Sequence, residues 1–492
     1  MNYKFTINKS ILIIALLVYT LTAFFSIGYF NADEHYQIIE FAGVIDGTNS
    51  TSNLPWEYSK KIRSIIQPTI AFAIFKVSSF FSITDPYSKA FILRLITALL
   101  SVFVITNFIK EAKRFISSKH WIVFYFLSYF LWFLPFINVR FSSETWSGLF
   151  FLYGVTIILK KQTNYYHYIL LGTVLGFSFL FRYQISFAIL GLLLWLFLIY
   201  KENLLKISTC CAAILCIISL GALLDSWFYN EWTLAPYNYF LVNIVDDKAS
   251  EFGIYPWYFY LVLISLYGLL PIGIIIIFSS ITFSLTKRKN LITWIIIPFL
   301  TIHFIVPHKE IRFLFPLINF IPLIIIISYE YLLEKKWYAK NKKWIHISLL
   351  LIMSLNFYAL FFANTKASGD GRAAITEKIH QLNNKKNLNI LVTEDFYPKY
   401  LWPLNSKFYE EKNANFINIE KDKFSPIFNN NTTNVLIVSI DDLHKKTLKK
   451  LQSKFKLVEI EHTFPKFSFP LFKKANLGNK VFLLYNIKKP KL

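Results

Sequence analysis

The sequence contains little cysteine, and its three cysteines all fall in one apolar run, at Cys210, Cys211 and Cys216. This placement excludes a disulfide framework. The chain also lacks any grouping of His, Cys, Asp and Glu with metal-ligand spacing, so we predict neither a metal nor a cofactor. No small-residue cleavage site follows the apolar run at residues 11–25, and we therefore interpret that run as a retained membrane span.

Apolar residues, in contrast, are abundant. They make up 55% of the 492 residues, and aromatic side chains make up 19%. Runs such as residues 272–278 are too numerous to be buried in one soluble core, so we predict a polytopic α-helical membrane protein. The candidate spans lie near 10–30, 88–109, 121–137, 145–160, 167–181, 184–200, 207–224, 257–284, 291–306, 312–332 and 344–363.

The distribution of basic residues predicts the orientation of these spans. The formal net charge is +23, and most of the excess lysine lies in short loops and in the C-terminal region. Lysine in such loops is typical of the cytoplasmic side of a membrane, so we do not predict a nucleic-acid partner.

One apolar run, residues 65–82, is ambiguous because it contains Gln67, Pro68 and Lys76. If this run spans the membrane, the basic loops between the spans lie outside; if it lies along the surface or re-enters, they all lie inside. The second arrangement satisfies the positive-inside rule. It predicts eleven spans, with the N-terminus inside and the C-terminus outside.

This orientation brings most of the unusual polar residues to the outer face, in the loops 31–87, 138–144, 225–256 and 307–311. We therefore predict that residues 1–363 form a transmembrane catalytic domain with an outward-facing site. Residues 364–492 have another pattern and are predicted to form a small extracytoplasmic α/β domain. Its predicted strands and helices lie at 389–392, 434–438 and 480–485, and at 376–382 and 442–451.

Two adjacent carboxylates, Asp33 and Glu34, follow the first span almost directly. Ionisable groups at such a position are costly and generally have a function or a partner. The alternative is that they mark the hydrated end of the helix.

Further candidate residues stand in the other outer loops. Trp56 and Glu57 lie near Arg63, and an aromatic face beside a carboxylate suits sugar binding; the alternative for Trp56 is an anchor at the membrane interface. Arg140 and Glu144 are four residues apart, so they either pair on one helix face or serve the site. Arg182 ends an apolar helix, where the alternative is a side chain that snorkels to the head groups.

The loop at 307–311 and the residue after it contain the cationic group His308, Lys309 and Arg312. Such a group is suited to a lipid-linked phosphate, with Arg making two-pronged contacts and Lys acting as a point charge. The alternative is a loop that binds lipid head groups. Because stray cations are disfavoured on the outer face, we favour a phosphate-binding role.

The long loop at 225–256 provides the most specific pattern. It contains Asp225-Ser226, Phe228-Tyr229, Trp232, Pro236 and Asn238, and ends at Gly253-x-x-Pro256-Trp257-x-x-Tyr260. With Pro307-His-Lys-Glu-x-Arg-Phe, this order resembles glycosyltransferase family 22, the polyprenyl-phosphate-mannose-dependent mannosyltransferases of GPI-anchor and N-glycan precursor assembly. The resemblance covers residues 29–320. The acidic motif of the family reads His-Pro-Asp-Glu, whereas this chain has Asn31-Ala32-Asp33-Glu34.

The resemblance implies a GT-C membrane fold and an inverting transfer of mannose from a polyprenyl-phosphate donor to a glycan or glycolipid acceptor on the non-cytoplasmic face. It implies Asp33 as general base with Glu34 beside it, and His308, Lys309 and Arg312 at the donor phosphate. The predicted substrate-binding residues are Trp56, Glu57, Arg63, Arg140, Glu144, Arg182, Asp225, Asn238 and Trp257.

Two other functions compete with a mannosyltransferase as explanations of the sequence. One is a GT-C enzyme that transfers another sugar, or acts on protein or a lipopolysaccharide-type lipid. The other is a transporter, which predicts charges at mid-membrane and repeated halves; the sequence has neither feature. The predicted location is the lipid bilayer, either the inner membrane of a bacterium or the endoplasmic reticulum membrane of a eukaryote.

The predicted orientation is testable by cysteine labelling. In a protein without its three native cysteines, a cysteine at Asn238 is expected to react with an impermeant reagent added from outside. A cysteine at Asn290, beside the basic cluster 287–289, is expected to stay unlabelled. External labelling at position 290 would contradict the eleven-span arrangement and make 65–82 a span.

Overall fold

The structure is a computed structural model of the chain. It describes residues 2–161, 164–368, 371–383, 387–392, 406–411, 413–419, 432–464, 466–478 and 481–489. The chain divides into two compact units, and each combines segments that are distant in sequence. The first, here called the helical unit, comprises Met1–Phe24, Thr51–Ile74 and Ile92–Thr365. The second, the mixed unit, comprises Phe25–Ser50, Phe75–Phe91 and Lys366–Leu492.

Helices occupy the apolar runs where the sequence predicts spans. They are Asn2–Phe25, Pro86–Ala112, Trp121–Phe130, Phe133–Asn138, Ser143–Leu159, Tyr165–Phe181, Ser186–Leu198, Leu204–Tyr229, Phe259–Tyr267, Pro271–Thr286, Leu291–Ile305, Ile321–Leu333 and Lys336–Thr365. The ambiguous run forms the helix Ile66–Phe80, a short helix covers Ala235–Phe240, and a 3-10 segment covers Ile311–Phe320.

Four helical stretches within the described residues are long and apolar enough to cross a membrane: Pro86–Phe115, Leu204–Tyr229, Ile311–Leu333 and Lys336–Thr365. Seven further apolar helices there have 10–17 residues. Leu204–Tyr229 buries only 17% of its apolar window within the protein, so the remainder is suited to contact with lipid. The chain is thus a helical, multi-pass membrane protein, whereas the count of eleven spans and the re-entrant course of 65–82 stay predictions.

The mixed unit contains a five-stranded sheet among its described residues. Its strands are β1 (Asn387–Val392), β2 (Ala414–Asn418), β3 (Thr432–Ser439), β4 (Lys456–His462) and β5 (Phe482–Lys488). The strand order is β2-β1-β3-β5-β4. β1 pairs in parallel with β2 and β3, and β5 pairs in the antiparallel sense with β3 and β4.

The sequence predicted β1, β3 and β5, which are the apolar strands, and missed β2 and β4. Residues 388, 390 and 392 of β1 pack into one apolar cluster, whereas Leu391 packs into another, so this strand is buried on both faces. β2 and β4 lie at the two edges of the sheet and contain Asn, Lys and Glu, which hide their strand character from a search for apolar runs.

The C-terminal part of this unit contains the helices Arg372–Asn383, Lys446–Lys454 and Phe469–Lys474, and its N-terminal part contains the short helices Asp33–Tyr36 and Ile39–Ile45. The first extends the helix predicted at 376–382. The second is preceded by a 3-10 turn, Asp442–His444, so the predicted helix 442–451 is divided in two. Lys480, the predicted start of the last strand, lies outside the described residues. The membrane side of residues 364–492 stays a prediction.

An ionic contact of His380 makes the stability of the mixed unit dependent on pH. Its ring contacts the carboxylates of Glu411 and Asp85, the latter at 2.7 Å from Nε2. The hydrogen bond to Glu411 and the two negative charges outweigh burial and raise the pKa of His380. The protonated ring therefore stabilises the folded unit below the unfolded pKa, which is about 6.5, and this stabilisation is lost as pH rises through the raised folded pKa.

We expect the backbone amides of the helix Arg372–Asn383 to lose protection against hydrogen exchange as pH rises above about 6.5 and through the raised pKa of His380, after correction for the intrinsic rate. His380→Gln is expected to remove most of this change, because the neutral amide does not titrate. An unchanged pH dependence in His380→Gln would assign the effect to another group.

Candidate active site

The carboxylate of Glu144 is the centre of an ionic cluster in the helical unit. Its Oε1 lies 3.2 Å from Nη1 of Arg182 and 3.4 Å from Nη1 of Arg312. All three side chains are buried, with Glu144 only 3% exposed. One carboxylate therefore joins two guanidinium groups that come from segments far apart in the chain, and it fixes both of them at one place.

A helix start sets the position of Glu144. Ser142 caps the helix Ser143–Leu159, its Oγ accepting the N–H of Thr145 at 3.2 Å. Glu144 thus lies in the first turn, where the helix dipole favours a carboxylate. Arg140 precedes the cap and therefore lies outside the helix that carries Glu144. Arg140 is itself buried, with Cζ 4.8 Å from the ring centroid of Phe136.

Two serines link the helix Ser143–Leu159 to the neighbouring helix Tyr165–Phe181. Ser147 Oγ donates to the carbonyl of Ser178 at 2.8 Å, and Ser178 Oγ donates to the carbonyl of Ser147 at 2.7 Å. The helix Tyr165–Phe181 therefore ends close to the start of the other, and Arg182 follows its last residue. Arg182 is 5% exposed and pairs with Glu144, so it does not snorkel to the membrane surface.

Arg312 reaches the cluster through a close approach of backbones. A Cβ on Gly148 would lie 2.7 Å from the Cα of Pro316, so only glycine allows the 3-10 segment Ile311–Phe320 to pack so tightly against the helix of Glu144. The guanidinium of Arg312 also binds Glu310 in a two-pronged manner, Nε to Oε2 at 2.6 Å and Nη2 to Oε1 at 3.0 Å.

Glu310 and His308 form the more accessible edge of the cluster. His308 Nε2 lies 3.0 Å from Oε1 of Glu310, and its Nδ1 lies 3.3 Å from the carbonyl of Gly253. Both neighbours of the ring are hydrogen-bond acceptors, so each contact is made by a ring nitrogen that carries a proton. Burial raises the pKa of Glu310, but hydrogen bonds from His308 and Arg312 outweigh it and lower the pKa to about 2. Glu310 is therefore charged at neutral pH.

Lys309 is held differently from its basic neighbours. Its Nζ donates to three carbonyls at the end of the helix Leu291–Ile305 and just beyond it, those of His303, Phe304 and Val306, at 3.2, 3.0 and 2.5 Å. An ammonium group has three N–H donors, so these contacts occupy all of them. Burial also lowers the pKa of Lys309. A phosphate contact by Lys309 requires it to release a carbonyl, whereas Arg312 needs no such change at the helix end.

Aromatic rings connect the loops around this cluster. The ring of Phe252 lies 6.1 Å from that of Trp56, in a stacked arrangement, and 6.0 Å from the ring of His308. The guanidinium carbons of Arg182 and Arg312 lie 5.0 and 5.3 Å from the ring centroid of Phe313. Trp56 thus takes part in the packing between loops of the helical unit.

A second polar group in this unit surrounds Arg63. Its Nη2 lies 3.6 Å from Oε1 of the buried Glu57, and its Cζ lies 5.8 Å from the ring centroid of Tyr239. Tyr239 in turn accepts a hydrogen bond from Gln184 at 2.5 Å and contacts the ring of Tyr183. The sequence pattern selected neither Tyr183 nor Gln184 nor Tyr239, because a tyrosine or glutamine near a span is common at a membrane boundary.

Three further residues were predicted to bind substrate. Two of them, Asp225 and Asn238, make hydrogen bonds within the helical unit, and the third, Trp257, is largely exposed. Asp225 is fully buried, and its Oδ1 accepts the N–H of Ile65 at 2.7 Å and the hydroxyl of Ser64 at 3.2 Å. Asn238 donates to the carbonyl of Lys61 at 3.3 Å. Asp225 and Asn238 therefore hold the segment that carries Arg63. Trp257 differs from them, since 64% of its side chain is exposed.

The acidic pair lies in the mixed unit, in the short helix Asp33–Tyr36. The N–H of Asp33 donates to Oδ1 of Asn31 at 3.1 Å, so the residue that replaces the family histidine here supports the start of the helix. Oε1 of Glu34 accepts the N–H of Phe30 at 3.1 Å. Both acids are partly exposed. Among the residues that the structure describes, no three His, Cys, Asp or Glu side chains are grouped as a metal site.

Comparison with known proteins identifies the family. A model described as the Alg9-like mannosyltransferase family matches residues 10–399, which is most of the 492-residue chain. The chain belongs to the Alg9-like mannosyltransferase family. The resemblance stated from the motifs and the prediction of a mannosyltransferase are therefore confirmed.

Relatives within this family are distant. A GPI alpha-1,2-mannosyltransferase 3 of Bos taurus is 22% identical over 77% of this chain and 70% of its own length. The mannosyltransferase APTG1 of Arabidopsis thaliana is 26% identical over 61% of this chain and 54% of its own, so the match spans about half of that protein.

A solved structure supports the fold. ArnT from Cupriavidus metallidurans, in a crystal structure bound to undecaprenyl phosphate, has a TM-score of 0.54 at 11% identity and covers 98% of both chains. This likeness confirms the predicted membrane fold of the GT-C type, and it leaves the number of spans a prediction. The roles of individual site residues in this Alg9-like protein stay predictions.

Proposed function

We propose that this Alg9-like protein transfers mannose from a polyprenyl-phosphate donor to a glycan or glycolipid acceptor on the non-cytoplasmic face of its membrane. The family supports the sugar, the names of the relatives support a glycolipid acceptor, and the ArnT structure contains a polyprenyl phosphate. Within the helical unit, the buried arginines near Glu144 support a role at the donor phosphate.

The observation that carries the donor proposal is the buried pair of arginines on Glu144. A donor phosphodiester has one negative charge, and the departing monoester gains up to one more. Guanidinium groups fixed before the reaction stabilise such a developing charge without reorganisation. Arg182 and Arg312 are fixed in this manner by a shared carboxylate, and His308 lies beside them at the accessible edge of the cluster. We assign the phosphate to these three residues.

The same residues are suited to release the product. Arg182 is paired with Glu144, and Arg312 with both Glu144 and Glu310, so each guanidinium is already compensated by a carboxylate before the donor binds. A phosphate that approaches Arg312 competes with Glu310, which limits the affinity for the dianionic product. Such a balance favours turnover over tight product binding.

Asp33 is the proposed general base. Inversion at the anomeric carbon requires a base near the acceptor hydroxyl, on the side opposite the departing phosphate. The carboxylate of Glu34 accepts the backbone N–H of Phe30, so we assign it a supporting role. The proposed sugar contacts are Trp56, Trp257 and the pair Glu57–Arg63, which combine ring surfaces with a hydrogen-bonding pair.

The base assignment predicts the effect of Asp33→Asn. The amide retains size and hydrogen bonding but does not accept a proton, so transfer is expected to slow by about a hundredfold to ten-thousandfold. Donor binding and membrane insertion are expected to stay near those of the unchanged protein. Glu34→Gln is the matched control and should lose less activity. Near-normal transfer by a correctly inserted Asp33→Asn protein would move the base to another carboxylate.

The phosphate assignment predicts a contrast between Arg312 and Lys309. Arg312→Ala is expected to raise the donor KM by about tenfold to a hundredfold, since a charge-assisted contact is worth about 1.5–3 kcal/mol. Arg312→Lys should recover part of the loss, because a point charge replaces a fork. Lys309→Met leaves three carbonyls without their donor and should lower thermal stability while the donor KM stays near normal. Equal effects of Lys309→Met and Arg312→Ala on the donor KM would contradict this division.

A further inference from the structure

We infer that the segment Ser406–Glu411 of the mixed unit positions the short helix Asp33–Tyr36 and is needed for the rate of transfer. This inference rests on the proposed role of Asp33 as the base. The segment lies more than 360 residues after that helix, beyond the matched family region, and it contacts His35 and Glu40 directly. It gives the C-terminal part of the chain a role in the reaction.

His35 is the anchor of the short helix. It stands two residues after Asp33 and is 2% exposed. Its ring stacks on Tyr29 at 5.6 Å and on Tyr409 at 5.3 Å, with interplanar angles of 27° and 22°. The backbone N–H of His35 also donates to the backbone carbonyl of Ala32 at 3.0 Å. Both the ring and the backbone N–H of His35 are therefore held in place two residues from Asp33.

A buried carboxylate holds His35 from the other direction. Oε1 of Glu40 lies 2.8 Å from Nε2 of His35 and accepts the backbone N–H of Phe408 at 3.2 Å. Its Oε2 accepts from Nδ2 of Asn49 at 2.7 Å. Burial raises the pKa of Glu40, but the hydrogen bond from His35 and the further donors outweigh it and lower the pKa. The charged carboxylate thus ties the helix and the segment together by hydrogen bonds that fix direction as well as distance.

The segment is itself held by other parts of the mixed unit. The ring of Phe408 stacks on Phe75 at 5.1 Å, and the ring of Tyr409 lies 4.7 Å from that of Tyr87. Glu411 accepts hydrogen bonds from His380 and Asn383. Contacts on several elements make the segment a fixed reference for His35. Because a displacement of about 1 Å at a reacting group can cost about a hundredfold in rate, loss of this reference is expected to reduce turnover.

The test compares two tyrosine truncations in the full chain. Tyr409→Ala removes the buried ring that stacks on His35, whereas Tyr485→Ala removes a half-buried ring from strand β5 of the same unit, away from His35, and serves as the control for loss of a tyrosine ring. We expect Tyr409→Ala to lower kcat by about tenfold to a hundredfold with an unchanged donor KM. Tyr485→Ala should keep kcat near normal even where it lowers thermal stability. Tyr409→Phe retains the stacked ring and should recover the rate.

A double variant separates this inference from the proposed base. If the segment acts through Asp33, Tyr409→Ala should add little to the loss already caused by Asp33→Asn. Equal kcat losses in Tyr409→Ala and Tyr485→Ala would overturn the inference, as would losses that multiply in the double variant. If Asp33→Asn is inactive and Tyr409→Ala is normal, the inference fails and the proposed base stands. If Asp33→Asn is fully active, the base proposal fails first.

Discussion

The arrangement of the helical unit depends on one buried carboxylate, Glu144, that two arginines share. A charge inside a protein is costly unless it is paired and hydrogen-bonded, and removal of one partner from such a group costs about 3–5 kcal/mol. The cluster of Glu144 with Arg182 and Arg312 therefore exists only when three separate chain segments have come together. The cluster is therefore part of what holds the helical unit together as well as part of the candidate site.

The packing of the helices around Glu144 brings these three segments together. Ser147 and Ser178 fix two helices in register, and Gly148 admits the backbone of Pro316 at a distance that no side chain would allow. Small and hydroxyl residues are the usual means by which membrane helices approach closely, since hydrocarbon provides no hydrophobic force between them. The positions of the two guanidinium groups follow from these contacts, without a dedicated binding loop.

Much of this could be predicted from the sequence, and the remainder has physical reasons. The apolar runs located the helices, because hydropathy is a local property. The candidate residues Glu144, Arg182 and Arg312 were all identified, but their pairing was not, because it joins residues up to 168 positions apart. The pair His35–Glu40 was also missed, although its two residues are only five positions apart. The edge strand β2 stayed hidden because its five residues are short of a continuous apolar run, with Asn415 and Asn418 among them.

The contacts of Lys309 and Arg312 also bear on how related sequences are compared. Both positions are basic and only three residues apart, so an exchange of Lys for Arg at either one scores as conservative. Yet Lys309 closes a helix end with three separate donors, whereas Arg312 binds a carboxylate with a planar fork. A relative in which the two residue types are interchanged retains the charge and composition of the loop but loses both geometries. Chains that form this cluster are therefore distinguished by which basic residue, Lys or Arg, stands at each of the two positions, and not by the charge of the loop.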